Sequence, residues 1–486
     1  MPDALKDSEK AASAWKAAPF PVPVGLYLIL YAAIFLLALL AGYRMQIPWA
    51  FHQLLDEPLL QGKLGESIVY LHGQPPLLNL ALGLTLKLAR ATTVAPETLL
   101  AMAHFLLGAA LVAAFATLFR EVLGPGLLAP LGTLFFLLNP MLYVSLLEYF
   151  YTAHELLLLA LFGLFARRFL QTGRAGTLAG AGGCLAALAA LHSLYHFAAM
   201  LALIAGLTFL APPTKSGRSL DASRVLVLAA STVALLAWPA KNLLVFGFFG
   251  SSSWVGLNLA SGLGVSYPPL ARLFLPGPSP PSEALRAEAS RMVPKRFERI
   301  AALAELTKQD GSPNWNHFSV IELSRQTESR VLHRLRGEPA LLLDRAWRNY
   351  RAYALFSGRH PLQGSLDWKV KGPASRLWLE SYERLAFQYF GRNTREEPFT
   401  GFFTLFPLMM TLAVVRTARC FGSRPVEART VLVLLLVVLW VLGMVLFVDG
   451  REGNRLRFPT DPFIILLALW GLSLVRDLPR LGGGDR

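Results

Sequence analysis

Two uninterrupted apolar stretches decide the fold class of this 486-residue chain: VGLYLILYAAIFLLALLAG at 24–42 and TVLVLLLVVLWVLGMVLFV at 430–448. Each has the length of about 20 residues that an α-helix needs to cross a bilayer. Of all residues, 54% are hydrophobic and 16% are charged, whereas soluble domains average about 25% charged residues. These features predict an all-α, polytopic integral membrane protein.

Similar apolar windows recur along the chain and predict about ten transmembrane helices. Short loops separate most of these windows, and two longer segments, 44–97 and 247–399, are predicted to lie outside the bilayer. The predicted crossings lie at 24–43, 98–119, 126–147, 151–167, 176–192, 195–211, 225–246, 400–416, 430–448 and 460–475.

Basic residues orient the predicted crossings, because cytoplasmic loops of membrane proteins are enriched in lysine and arginine. Placing all the basic clusters inside satisfies this rule without conflict, and the rule also explains the net charge of +15 without a nucleic-acid partner. The clusters comprise Lys6, Lys10 and Lys16; Arg167, Arg168 and Arg174; Lys215, Arg218 and Arg224; Arg416, Arg419, Arg424 and Arg429; and Arg476, Arg480 and Arg486.

This orientation divides the chain into five predicted regions. The N-terminus lacks the residue order of a cleaved signal peptide, so the first span is expected to remain as an anchor. The regions are a cytoplasmic tail (1–23), a transmembrane core with an outer loop at 44–97 (24–246), a large extracytoplasmic, mainly helical loop (247–399), the last transmembrane helices (400–475) and a second cytoplasmic tail (476–486).

Both outer segments are predicted to contain helices. The stretch PPLLNLALGLTLKLAR at 75–90 is apolar but short and carries Lys87 and Arg90, so we expect a helix that lies at the outer membrane interface. In the large loop, helices are expected around 283–306, 317–336 and 339–356. Cys184 and Cys420 have no evident route to each other, so no disulfide is expected.

Polar residues converge on the outer side of the predicted topology. Because ionisable groups are costly at membrane depth, such a concentration marks a candidate site, whereas the inner loops carry mainly arginines. The four sets are Asp56, Glu57, His72 and Gln74; Glu148, Tyr149, Tyr151, His154 and Glu155; His192, Ser193, Tyr195 and His196; and Arg451, Glu452, Asn454, Arg455 and Arg457.

The carboxylate pair Asp56 and Glu57 is a candidate for catalysis. A carboxylate beside an acceptor hydroxyl takes its proton as a general base, and partial burial raises its pKa toward a useful value. The alternative is that one of the pair caps the helix that begins near Pro58.

The last loop is a candidate phosphate site. The guanidinium groups of Arg451 and Arg455 suit phosphate oxygens, and Glu452 and Asn454 add hydrogen-bonding groups. Anchoring to lipid headgroups is the alternative for these arginines.

His192 and His196 are spaced four residues apart, as two metal ligands on a helix would be. No third ligand occurs at a useful spacing, so a polar cavity lining is the favoured interpretation and no metal site is predicted. The polar stretch that includes Ser251, Ser252, Trp254 and Asn258 is a further contributor that the sequence leaves open. No nucleotide-binding motif occurs.

The order and sidedness of four motifs resemble the GT-C superfamily of membrane glycosyltransferases, which includes protein O-mannosyltransferases and the aminoarabinose transferase that acts on lipid A. The resemblance covers roughly 20–260 and 400–475. The motifs are LLDEPLL at 54–60, HGQPPLLNL at 72–80, NPMLYVSLLEYFYTAHE at 139–155 and REGNRLRFPTDPF at 451–463.

The resemblance implies an inverting transfer of a sugar from a polyprenyl-phosphate donor to an envelope lipid, glycan or protein acceptor at the outer face. Asp56 or Glu57 would activate the acceptor, and Glu148 or Glu155 would take the second acidic position. Where the aminoarabinose transferase has a phosphate-binding lysine before PPL, this chain has Gln74.

That departure moves the expected phosphate contact to Arg451, Arg455 and His72. The polyprenyl-phosphate sugar is the donor substrate, no cofactor is implied, and a requirement for a divalent metal stays open.

A lipid or glycan transporter or scramblase is the alternative function. Such proteins show paired halves with interrupted helices and midplane charges, which this sequence does not display. A non-catalytic scaffold of the cell envelope is a third hypothesis. Because arginine far outnumbers lysine, a bacterial inner membrane is the expected location, with the site facing the periplasm.

Overall fold

The computed structural model of the protein describes residues 22–212, 221–261, 263–275, 280–355, 373–387, 393–394, 397–398, 401–448 and 453–477. Across these residues the chain is mostly helical, and its strands form one short antiparallel pair, β1 (Asn393–Thr394) and β2 (Glu397–Pro398). The predicted all-α class is confirmed.

The first half of the described chain is a succession of helices joined mainly by short turns. They are α1 (Val24–Leu40), α2 (Glu57–Gly62), α3 (Leu64–Val69), α4 (Leu77–Thr92), α5 (Pro96–Leu123), α6 (Leu128–Leu137), α7 (Pro140–Leu147), α8 (Tyr151–Thr172), α9 (Ala175–Leu191), α10 (Phe197–Leu210) and α11 (Ala222–Phe246).

The second half places shorter helices before three longer ones. They are α12 (Val255–Ala260), α13 (Glu283–Arg291), α14 (Ala301–Ala304), α15 (Ser319–Gly337), α16 (Leu341–Ala354), α17 (Pro373–Phe387), α18 (Gly401–Cys420), α19 (Pro425–Phe447), α20 (Gly453–Arg457) and α21 (Asp461–Asp477). Short 3₁₀ turns lie at Pro269–Leu273, Lys295–Phe297 and Phe458–Thr460.

Among the described helices, α5, α11 and α19 are long and apolar enough to cross a membrane. The pair α6 and α7 adds a fourth candidate if it forms one span, bent by 48°; α1, α9 and α10 are apolar but shorter. Nine of the ten predicted crossings each coincide with one helix, and the crossing at 126–147 coincides with the two helices α6 and α7. The number of ten crossings nevertheless stays a prediction, because length and composition support fewer spans.

The bend between α6 and α7 has a local cause. Pro140 begins α7 and has no N–H to continue the hydrogen bonds of α6. The Asn139 side chain instead accepts a hydrogen bond from the backbone N–H of Met141 at 3.0 Å, which caps the new helix. The chain therefore restarts at a new angle just before the polar turn that carries Glu148.

The first outer segment forms a small helical layer. The predicted interfacial helix is α4, and it buries Leu78, Leu82 and Leu86 on one face while Leu84 and Leu88 are exposed. The short helices α2 and α3 pack against it. This layer supplies a rigid base for the polar residues between α1 and α4.

In the large loop, the predicted helices at 317–336 and 339–356 correspond to α15 and α16. The helical stretch expected around 283–306 is divided into short pieces, because α13 ends at Arg291 and a 3₁₀ turn and α14 follow. Pro294 explains the break, since a proline disfavours helical backbone in the residue before it and donates no hydrogen bond itself.

Direct hydrogen bonds join the two outer segments. The Lys308 ammonium donates to the carbonyl oxygens of Trp49 and Phe51, each at 2.8 Å. The Asn316 side chain accepts from the backbone N–H of His72 at 2.8 Å and donates to the carbonyl of Tyr70 at 3.1 Å. The outer segments therefore form one layer over the end of the helix bundle.

Candidate functional site

A cavity of about 670 Å³ lies where this outer layer meets the helix bundle. The N-terminal ends of α8 and α10 and the C-terminal ends of α9, α11 and α19 point toward it. Its volume falls in the range of small-molecule sites, about 300–1,000 Å³. The polar wall includes His52, Gln53, Gln74, Tyr151, His192, Ser193, His196, Ser251, Ser252, Asn258, Ser261 and Arg455.

The cavity lining also includes apolar side chains, the apolar wall. Trp440, Met444 and Val448 come from α19 and its C-terminal end, and Leu194 comes from the turn after α9. Phe249 and Val255 line the cavity as well. The lining is therefore amphipathic, because it combines charged and hydrogen-bonding groups with hydrocarbon side chains.

A buried carboxylate–imidazole pair stands at the polar wall. Glu155 on α8 is fully buried, and its Oε1 lies 2.6 Å from Nδ1 of His192, the residue that ends α9. The ring of Tyr151 stacks on the His192 ring with a centroid separation of 3.9 Å and an interplanar angle of 23°. These contacts hold the imidazole in one orientation at the cavity wall.

Arg455 provides a positive charge at the same wall. Its guanidinium donates a hydrogen bond to the Tyr151 hydroxyl at 2.5 Å. It also lies over the rings of Phe150 and Tyr151, with Cζ 4.9 Å and 5.2 Å from the centroids. Cation–π contacts of this kind favour a guanidinium that has been partly removed from water.

His52 presents an uncharged imidazole to the cavity. Burial lowers the pKa of His52 to about 3, and the charges of Arg455 and Lys308 act in the same direction. The ring lies 5.2 Å from the Trp254 ring and 6.0 Å from the Trp315 ring, measured between centroids. At neutral pH this side chain therefore offers one hydrogen-bond donor and one acceptor without a net charge.

Glu148 lies in the turn between α7 and α8, near Arg455. Burial raises the pKa of the Glu148 carboxyl to about 7, although Arg455 partly opposes this shift. A backbone hydrogen bond joins this turn to Gln46: the N–H of Tyr149 donates to the Gln46 carbonyl oxygen at 2.8 Å. The turn is therefore fixed against the chain that follows α1.

No protein-family model and no curated protein matches this sequence. The proposed function therefore rests on the geometry of the cavity.

Each of the four predicted polar sets contributes to the cavity wall. Gln74, His192, His196 and Arg455 line it directly, and Glu155 reaches it through His192. The ring nitrogen Nδ1 of His196 also accepts a hydrogen bond from the backbone N–H of Ala198 at 3.3 Å and so caps α10.

Asp56 and Glu57 are not among the residues that line the cavity. One Asp56 carboxylate oxygen accepts a hydrogen bond from the backbone N–H of Gln309 at 3.0 Å. Glu57 accepts from the side chain of Gln61, one turn further along α2, at 2.8 Å. The pair stands at the contact between the outer segments, and its catalytic role stays a prediction.

His72 and His154 also lie away from the cavity wall. Nδ1 of His72 is 2.8 Å from the Ser253 hydroxyl and Nε2 is 2.9 Å from the Asn316 carbonyl, so both ring nitrogens hold the outer layer together. His154 packs edge-to-face on His104, with centroids 5.1 Å apart. The predicted substrate roles of both histidines are untested, and the structure gives each a packing contact.

The last loop is described only from Gly453 onward, so the predicted residues Arg451 and Glu452 lie outside the described residues. Asn454 is buried, and its side-chain oxygen accepts a hydrogen bond from the backbone N–H of Arg455 at 3.0 Å. Arg457 forms an ion pair with Asp461 at 2.7 Å. Of the described arginines in this loop, Arg455 reaches the cavity and Arg457 stabilises the start of α21.

Sequence reasoning passed over several cavity residues. His52 and Gln53 precede Asp56 in the same polar stretch, and this proximity was a usable signal. Ser251, Ser252 and Asn258 belong to the polar segment that the sequence left open. Nothing in the sequence indicated that Trp440 lines a cavity, because a tryptophan inside an apolar helix is expected in the core.

Among the described residues, no group of three or more histidine, cysteine, aspartate or glutamate side chains is placed to hold a metal ion. The His192 ring nitrogen that faces Glu155 is already engaged. The side chains that this wall offers for chemistry are the imidazoles of His52, His192 and His196, the guanidinium of Arg455, hydroxyls and amides.

Proposed function

We propose that this chain is an inverting glycosyltransferase that moves a sugar from a polyprenyl-phosphate donor to an acceptor at the outer face of the membrane. The amphipathic cavity is the observation that carries the proposal. A polyprenyl-phosphate sugar has an anionic, hydroxyl-rich head and a hydrocarbon tail, and the polar and apolar side chains of the cavity lining suit these two parts. The acceptor is an envelope lipid, glycan or protein.

Arg455 is the proposed phosphate ligand. A guanidinium forms strong, charge-assisted hydrogen bonds with phosphate oxygens, and the buried position of Arg455 strengthens its field. As the bond to the sugar breaks, negative charge accumulates on the phosphate. A fixed cation at that point lowers the free energy of the transition state.

The sugar is proposed to lie against the polar wall, between Gln74 and Asn258. Amide side chains supply both donors and acceptors to sugar hydroxyls. Trp254 offers an aromatic face beside them, and its ring packs against Trp315 with centroids 5.6 Å apart. The tail of the donor would run along Met444 and Leu194 on the apolar wall.

The proposal extends to the GT-C fold, to about ten crossings and to a bacterial inner membrane with a periplasmic site. The order of the four sequence motifs supports these parts. A further support is that LLDEPLL, HGQPPLLNL, NPMLYVSLLEYFYTAHE and the described part of REGNRLRFPTDPF, from Gly453 onward, contribute residues to the cavity or to the contacts beside it.

The test is a donor panel. The protein purified in detergent is incubated with radiolabelled polyprenyl-phosphate hexoses and pentoses and an envelope lipid extract, and release of polyprenyl phosphate is measured. Arg455→Ala should lower kcat/KM by roughly 10- to 100-fold, because a hydrogen bond to a charged group contributes about 1.5–3 kcal/mol. Arg299→Ala, which removes an exposed arginine of the large loop, is the matched control.

The Asp56→Ala/Glu57→Ala double variant tests the predicted carboxylate pair in the same assay. Loss of release with retained donor binding would support a role of this pair in the reaction. Absence of release by the wild-type protein with every donor would overturn the glycosyltransferase proposal, and a lipid flux assay in liposomes would then test the transporter alternative.

A further inference from the structure

The carboxylate–imidazole pair at the polar wall has a function that the sequence motifs did not assign. We propose that His192, held by Glu155, is the general base that takes the proton from the acceptor hydroxyl. This inference rests on the proposed glycosyltransferase function and names the proton acceptor of that reaction.

The geometry of the pair determines which nitrogen is available. The proposed base requires Glu155 as a carboxylate, which only accepts hydrogen bonds. The 2.6 Å contact between Oε1 of Glu155 and Nδ1 of His192 then places the hydrogen on Nδ1. Nε2 of the neutral ring then carries the lone pair. Since His192 lines the cavity, this lone pair is the basic atom that the pair offers to a substrate.

Glu155 is committed to His192 by the geometry of the pair. Glu155 is fully buried, and within the described residues its second oxygen, Oε2, has no hydrogen-bond partner. The contact with Nδ1 of His192 is therefore the hydrogen bond that holds this carboxyl group. A carboxylate in this position stabilises the positive charge that the imidazole acquires when it takes a proton.

Tyr151 connects the base to the proposed phosphate ligand. Its ring stacks on His192 at 3.9 Å, and its hydroxyl accepts a hydrogen bond from Arg455 at 2.5 Å. One side chain therefore positions both the imidazole and the guanidinium. These shared contacts hold the imidazole and the guanidinium in fixed positions relative to each other, and correct positioning of reacting groups is a large part of catalytic efficiency.

The proposed transfer reaction forms one bond and breaks one bond at the anomeric carbon. The acceptor oxygen attacks the anomeric carbon of the donor and forms the new glycosidic bond, while the bond from that carbon to the phosphate oxygen breaks. The hydroxyl proton passes to Nε2 of His192, and the Glu155 carboxylate stabilises the resulting imidazolium. Polyprenyl phosphate leaves with the bonding electron pair beside Arg455, and the imidazolium then releases its proton to water.

The experiment compares His192→Ala and Glu155→Gln with wild type in the donor-panel assay. General bases contribute about 10²–10⁴-fold, so His192→Ala should lower kcat by that factor. Affinity for a short polyprenyl phosphate without sugar should change only a few-fold. Added imidazole should restore part of the activity of His192→Ala, a rescue that a structural role would not produce. His333→Ala, an exposed histidine on α15, is the matched control.

The outcomes separate the two proposals. If wild type releases polyprenyl phosphate and His192→Ala keeps kcat within a few-fold, His192 is not the base, while the glycosyltransferase function stands. If His192→Ala no longer binds the polyprenyl phosphate, the kcat of Glu155→Gln becomes the test of the inference. An unchanged kcat in Glu155→Gln overturns it. If wild type is inactive with every donor, the proposed function fails and the assignment of His192 fails with it.

Discussion

At the scale of single residues, the polar wall combines groups whose charges depend on one another. Arg455 lies near Glu148 and His52, and its charge lowers the pKa of both groups. Burial acts on them in opposite directions, because it penalises the charged form of each. His52 is consequently neutral near pH 7, whereas Glu148 changes its protonation state there.

The raised pKa of Glu148, about 7, predicts a pH-dependent stability. Because the folded-state pKa lies above the unfolded value, this carboxyl stabilises the folded state most when it is protonated, and the contribution is lost as the pH rises through about 7. Glu148→Gln should therefore weaken the fall in melting temperature that wild type shows in detergent between about pH 5 and 8.

The control for this measurement is Glu66→Gln, which removes a carboxylate that pairs with Lys63 at the surface of the first outer segment. It should leave the pH dependence of the melting temperature as in wild type. Parallel pH profiles for wild type and Glu148→Gln would contradict the burial of a titrating carboxyl at this turn.

At the scale of elements, the outer layer depends on one close contact between α12 and α15. A Cβ atom built on Gly256 would lie 2.0 Å from the carbonyl oxygen of Ser324, so any larger residue forces the helices apart. The N–H of Gly256 donates to the Ser324 hydroxyl at 3.0 Å. Since α12 carries Val255 and Asn258 of the cavity wall, this contact also positions the site.

Gly256→Ala should therefore destabilise the protein. Inserting even one methyl group into a closely packed contact typically costs about 1–3 kcal/mol, which we expect as a lower melting temperature in detergent and a reduced donor affinity. Gly337→Ala at the end of α15 is the matched control, because nothing lies within 4 Å of a Cβ atom there. Equal melting temperatures for the two variants would refute the close approach of α12 and α15.

At the scale of the whole molecule, the cavity forms because several helices end at the same end of the bundle. The helix ends that border it alternate in direction along the chain, as they do in a bundle that crosses a membrane repeatedly. The short apolar helices α9 and α10 pack against α8 and α11.

Cysteine labelling tests this arrangement in cells. Cys184 is buried and Cys420 lies at the end of α18, and both are free. In a Cys184→Ser/Cys420→Ser background, His333→Cys should react with a membrane-impermeant maleimide applied outside. A variant that retains Cys420 alone should react only after the membrane is permeabilised. Labelling of Cys420 from outside intact cells would invert the predicted topology.

The sequence by itself predicted the helical class, the location of most helices and the gathering of polar residues at one side. Apolar windows such as 430–448 carry this information because helix formation and removal of apolar surface from water depend mainly on local composition. The helical stretch expected around 283–306 is divided into short helices, because Pro294 donates no backbone hydrogen bond and disfavours helical backbone in the residue before it.

Only the tertiary structure decided which polar residues share the cavity. His192 meets Glu155 across 37 positions of the chain, and Arg455 meets Tyr151 across 304. Asp56, in contrast, contacts the large loop instead of the cavity. Contacts between distant segments depend on how helices pack and on which groups must be hydrogen-bonded when they are buried, and no local pattern in the sequence records those pairings.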